Sequence, residues 1–197
     1  MRIESTVFAA LAIADVAVPA SADVVVSTLG NSSSGGNHIG NSTWGAEFIT
    51  GDTAQDLANA QAVIEGASSQ VNAYLYSDAA GLPDIELFAF DSVATSSGTP
   101  QTVTFNASSL FTLEANTTYH LVINTTGSST VFWRNSGSHS SPEGTGSTVA
   151  GQEIFGGGSW SHFFSTGSAL YAINTVPAPG GAAVLAFAGV VAARRRR

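Results

Sequence analysis

Four carboxylates crowd one short stretch, where Asp78, Asp84, Glu86 and Asp91 surround a Gly81-Leu82-Pro83 turn. Hard oxygen ligands on a loop are what calcium takes, but this spacing follows no calcium-loop pattern. An aspartate ahead of a turn more often accepts a backbone N–H. Asp78 is therefore assigned a turn role, Glu86 is expected to point outward, and no metal site is assigned. The histidines are His38, His120, His139 and His162, and no two of them share the i, i+2 or i, i+4 spacing of a metal pair. His139 and Glu143 stand four apart, but in a Gly/Ser-rich piece. His120 alternates with Tyr119 and Leu121 and is expected to face solvent or a sheet edge. His162, on one face with Trp160 and Phe164, is expected to be a packed structural histidine. Serine is abundant, yet no Gly-x-Ser-x-Gly elbow occurs and nothing pairs a particular Ser, His and Asp. No catalytic residue and no cofactor is assigned, and the expectation is that the chain is not an enzyme. Aromatic side chains offer more. Tyr and Trp faces stack on the apolar C–H face of sugar rings. Tyr74, Tyr76 and Trp44 are the candidate glycan contacts, whereas Trp133 and Trp160 are expected in the core. Asn-x-Ser/Thr sequons begin at Asn31, Asn41, Asn106, Asn116 and Asn124, and carry meaning only in a host that glycosylates them.

Strands must position these groups. Residues 70–77 alternate, with Val71, Ala73 and Leu75 on one face and Asn72, Tyr74 and Tyr76 on the other. Similar short runs fall at 24–26, 46–49, 85–90, 102–105, 118–124, 130–133, 160–164 and 169–173. Residues 54–64 are rich in alanine and admit a helix, but alternation in 58–64 favours a strand. Gly- and Ser-rich pieces at 30–40, 96–100, 127–129, 137–146 and 156–159 read as turns. Many short strands at even spacing predict an all-β fold, an antiparallel β-sandwich or jelly roll. No solenoid-length repeat is present.

Charge narrows the partners. Cysteine and lysine are absent, the net charge is -8, and Arg134 is the lone fixed cation between Asp23 and Ala193. Neither disulfides nor thiolate metal sites can form, so packing alone must hold the fold. A domain this acidic repels phosphate backbones, so nucleic acid is not an expected partner.

The two ends read as addresses. Arg2 supplies a positive start, residues 7–18 an apolar stretch, and Ala20-Ser21-Ala22 a small-x-small cleavage site. A signal helix over 1–22 is predicted, recognised by the Sec export machinery and cut by signal peptidase to leave Asp23 first. At the other end Val176-Pro177-Ala178-Pro179 precedes an apolar span, 180–193, and then Arg194, Arg195, Arg196 and Arg197. Four guanidiniums stay charged and resist crossing, which retains them on the cytoplasmic side. Counting back to Val176, the span reaches the lower limit for a crossing helix, roughly 17 residues. On these residues alone the tail is either a permanent transmembrane anchor or a processed one.

The order of motif, apolar span and arginine cluster resembles the PEP-CTERM sorting signal of Gram-negative bacteria, with Ala178 where that family carries glutamate. The resemblance covers 176–197 and implies a transient stop in the inner membrane followed by cutting by an exosortase-type transpeptidase. A second resemblance runs over roughly 46–135. Ala46-Glu-Phe-Ile-Thr-Gly51, Val71-Asn-Ala-Tyr-Leu-Tyr-Ser-Asp78, Gly81-Leu-Pro83 and Leu113-Glu-Ala-Asn-Thr-Thr-Tyr119 look like the exported β-domains termed choice-of-anchor. Those domains are joined to one of several anchoring tails and bring no catalytic residues. The expected organisation is a signal peptide at 1–22, a β-domain at 23–175 and a sorting tail at 176–197. The expected function is a structural protein of the cell surface or extracellular matrix. The alternative is a carbohydrate-binding module for extracellular polysaccharide.

Overall fold

A computed structural model describes residues 23–40, 42–126, 130–137, 144–163 and 167–176. The signal peptide, the sorting tail beyond Val176, and His139 all lie outside the described residues. The compact β unit spans Ala22–Ala178. Among the described residues there is no helix, so none is long and apolar enough to cross a membrane.

The strands are β1 Asp23–Ser27, β2 Ser33–His38, β3 Thr43–Ile49, β4 Gln55–Ala79, β5 Leu82–Ala89, β6 Val93–Asn106 and β7 Thr112–Leu113. They continue with β8 Thr118–Thr125, β9 Phe132–Ser136, β10 Ser147–Thr148, β11 Gln152–Gly156, β12 Ser159–Phe163, β13 Ser168–Ala169 and β14 Tyr171–Thr175. The strand pairings are antiparallel, as the alternation implied. One path through the hydrogen-bonded sheet is β1-β14-β4-β8-β3-β11-β12.

β4 organises the molecule. Its first half lies between β14 and β6, and its second half between β8 and β5. The change of partner falls between irregularities at Ile64/Gly66 and Ser68/Val71. The alternating runs at 58–64 and 70–77 are therefore one bent strand, and the helical option for the alanine-rich stretch is not taken. Alanine suits this strand because Ala60 and Ala62 are wholly buried where β14 and β6 flank it.

Inward-facing residues of both halves form a single core containing Phe48, Leu75, Phe105, Leu121, Ile123, Trp133 and Tyr171. Phe48 of β3 meets Tyr171 of β14 at 6.4 Å between ring centroids, so the two halves pack face on. Two expected turns prove to be strand. Residues 33–38 form β2, paired with β9, and 96–100 lie inside β6, paired in part with β4. Small polar residues read as turn formers, but a paired neighbour supplies the backbone partners that local propensity withholds. The turns at 80–81 and 157–158 have positive φ throughout, which suits two-residue hairpin loops.

Candidate functional site

Strand register places the chemistry on the face of β4, β8, β3, β11 and β12 that points away from the core. One row across the sheet runs Tyr74, Val122, Gly45, Glu153, His162. The next runs Tyr76, His120, Glu47. Because side chains alternate, Leu75, Leu121 and Ala46 face the core from the intervening row. This outer face is not open. β12 returns toward β5, and Pro83 at the start of β5 lies over Gly45 of β3.

His120 lies beneath that cover with 0% exposure. The expectation that it faces solvent is corrected. Alternation correctly put it opposite Leu121, but β8 is buried on both faces from Tyr119 to Ile123. Its Nε2 stands 2.9 Å from Asp78 Oδ1. Its Nδ1 stands 3.5 Å from Glu153 Oε2, an ion pair rather than a well-formed hydrogen bond. Asp78 Oδ1 also accepts the Gly81 N–H at 2.9 Å, so the assigned turn role is present and a second role joins it. Gly45 makes room for the arrangement. A Cβ there would sit 2.7 Å from Glu153 Oε2, and Pro83 Cγ closes the same space at 3.3 Å.

Burial by itself would lower the His120 pKa. The carboxylates of Glu153 and Asp78 beside the ring, with Glu47 beyond them, outweigh burial and raise it. Glu47 is also raised, first by burial and then by Glu153 and Asp78, against the opposing pull of His120 and His162. A ring without exposure, faced by carboxylates at both nitrogens, has no approach for a substrate. When protonated, it is an internal countercharge to them. No group of three or more His, Asp or Glu among the described residues has metal-site geometry.

The aromatic residues divide differently from expectation. Trp44 is withdrawn as a glycan contact: it is 6% exposed, its indole N–H donates to the His38 carbonyl at 3.1 Å, and its ring packs edge-on against Phe163. It sits inside β3 with its side chain on the core face, where no sugar can stack. Trp133 is in the core as expected. Trp160 is not. It is half-buried on the outer face, 6.2 Å from Tyr76 and 5.4 Å from Phe155. Tyr74 and Tyr76 are both half-buried there, and the Tyr76 hydroxyl reaches Glu86 at 3.4 Å.

Phe155 is thus the residue that sequence reading passed over, and Trp160 the one it placed in the core. The signal was present in the stretch 153–162, where Glu153, Phe155, Trp160 and His162 share one face of a hairpin turned by glycines. Phe155 is 41% exposed and walls a cleft of about 300 Å³ whose other side chains include Ser42, Thr43, Asn124 and Thr125. A second cleft of about 290 Å³ opens at the far end of β11, beside Glu47, Glu153 and His162.

No protein-family model matches the chain, and no curated protein matches it either. Function is therefore argued from the site and from the order of segments in the chain.

Proposed function

We propose that this is an exported structural protein of the cell surface or extracellular matrix, delivered through a PEP-CTERM-like tail that an exosortase-type transpeptidase cuts. The observation that carries the reading is the order of proline motif, short apolar span and Arg194–Arg197 directly after the last strand. A supporting fact is that the compact β unit, Ala22–Ala178, contains the expected mature domain, 23–175, and ends within the sorting motif. Within this reading the fold is a sandwich or jelly roll, with helices forming only in the leader and tail. The partners are the Sec machinery, signal peptidase, the transpeptidase and, transiently, the inner membrane. The lone arginine of the domain, Arg134, pairs with Glu65 at 2.9 Å, which supports a reading without phosphate backbones as partners.

Mass spectrometry of the surface form from a host with the sorting enzyme is expected to find Asp23 at the start and an end near Pro177-Ala178-Pro179. Neutral replacements at Arg194–Arg197 remove the charge that retains the C-terminus in the cytoplasm, so that variant should escape cutting. Recovery of the native surface protein with Arg197 intact refutes the sorting reading.

The row Tyr76, Trp160, Phe155 beside the Ser/Thr/Asn-lined cleft favours a second reading, a binding module for extracellular polysaccharide. Aromatic walls with hydroxyl and amide groups suit a neutral polyol. Trp160→Ala is expected to weaken glycan binding at least about tenfold, the effect of losing one anchoring aromatic. A glycan array with no positive signal, or unaltered binding by the variant, removes this reading.

A further inference from the structure

His120 lies where several elements meet. It belongs to β8, and titratable groups from several other strands stand near it, with Glu86 of β5 farther along the same face against Tyr76. Asp78 comes from β4, Glu47 from β3 and Glu153 from β11, and His162 of β12 stands next to Glu47. A protonated imidazole donates from both nitrogens, whereas a neutral one has a single N–H. The neutral ring can therefore serve Asp78 or Glu153 but not both. Glu153 is almost fully buried, and its Oε2 has no hydrogen bond to fall back on. A buried carboxylate without a countercharge is strongly unfavourable.

We propose that His120 is a proton-operated latch: as an imidazolium it ties the β4–β5 turn, through Asp78, and the β11–β12 hairpin, through Glu153, to the centre of the sheet, and as a neutral ring it lets both loosen. Trp160 is carried on that hairpin and packs on Tyr76 across the latch. The aromatic row of the outer face is therefore assembled while the latch is closed.

The direction of the pH effect follows from linkage. The folded chain holds the His120 proton more tightly than the unfolded chain does. Its contribution is complete below about pH 6.5 and is lost as pH rises through the raised folded value. Glu47, also raised, acts in the same direction, but over a range that begins near its ordinary value of 4.5. Tyr74, Tyr76 and Tyr171 are raised above 10, chiefly by burial, and lie beyond the upper end of the test.

Hydrogen exchange of the full chain, corrected for the intrinsic pH dependence of exchange, separates this from general unfolding. Between pH 6 and pH 9, protection in β11, β12 and the 79–82 turn is expected to fall at least about tenfold. Protection in the β14–β4 ladder should stay within about twofold, since its paired residues, 57–62 and 171–175, include none of His120, Asp78 and Glu153. His120→Gln, with its single neutral amide, should show low hairpin protection at both pH values. Glu153→Gln keeps the histidine and covers the case in which His120→Gln does not fold. Removing one carboxylate must move the midpoint of the transition to lower pH, which a purely packing role for the ring would not do. Hairpin protection that is flat from pH 6 to pH 9, or an unmoved midpoint in Glu153→Gln, overturns the latch.

Discussion

Trp133→Ala is expected to destabilise the chain by about 3–5 kcal/mol, the range for truncating a fully buried large aromatic. Trp133 has 0% exposure and sits on β9 where that strand pairs with both β2 and β4. Its indole N–H donates to the Leu170 carbonyl at 3.1 Å, and its ring meets Tyr171 edge-on at 6.3 Å. Truncation opens a cavity at the junction of three strands, too constrained by backbone pairing to collapse. Urea unfolding should show the loss in full, and the melting temperature should drop by roughly 10 °C. Trp133→Phe should lose less, about 1–2 kcal/mol, because most of the ring volume remains. The Leu170 carbonyl also keeps its bond from the Val63 N–H in that variant. Equal losses in the two variants would show that the cavity is not the cause.

Gly66→Ala is expected to be comparably damaging although it adds one methyl group. Gly66 has φ of 112° at the irregularity where β4 changes partners. A Cβ there would lie 2.2 Å from the Thr130 carbonyl oxygen and 3.0 Å from Val131 Cα. The obstacle is backbone leading into β9, so it cannot swing aside as a side chain would. Strained φ and forced repacking together cost about 2–6 kcal/mol. Gly98→Ala is the control. Gly98 lies in β6 with nothing within 4 Å of its would-be Cβ, and the change should fall within about 0.5 kcal/mol of wild type. If the two substitutions proved equal, the close approach at Gly66 would not govern the bend in β4.

Much of the architecture was legible from residue order. The alternation at 70–77 names the correct core face, since Val71, Ala73 and Leu75 are all buried. The absence of cysteine and the wealth of short apolar runs point to a packed all-β domain. Local patterns such as these survive into the fold because period 2 is a property of the strand itself. Other features depended on which strand lies alongside which. The small polar runs at 33–38 and 96–100 become strand only because β9 and β4 provide a ladder for them.

His120 shows the boundary between the two kinds of information most clearly. The sequence by itself determined the side of β8 on which the ring stands, opposite Tyr119 and Leu121. Burial of that side was decided by tertiary structure alone, through the return of β12 toward β5 and the fold of Pro83 over Gly45. Those contacts bring Asp78, Glu47 and Glu153 to one ring from positions 42, 73 and 33 residues away along the chain. Trp44 and Trp160 exchanged roles for the same reason. A tryptophan near a strand end is core or surface according to which sheet face it meets, and whether anything covers that face. Alternation sets the face, whereas the cover comes from elements distant in sequence, and no local pattern encodes it.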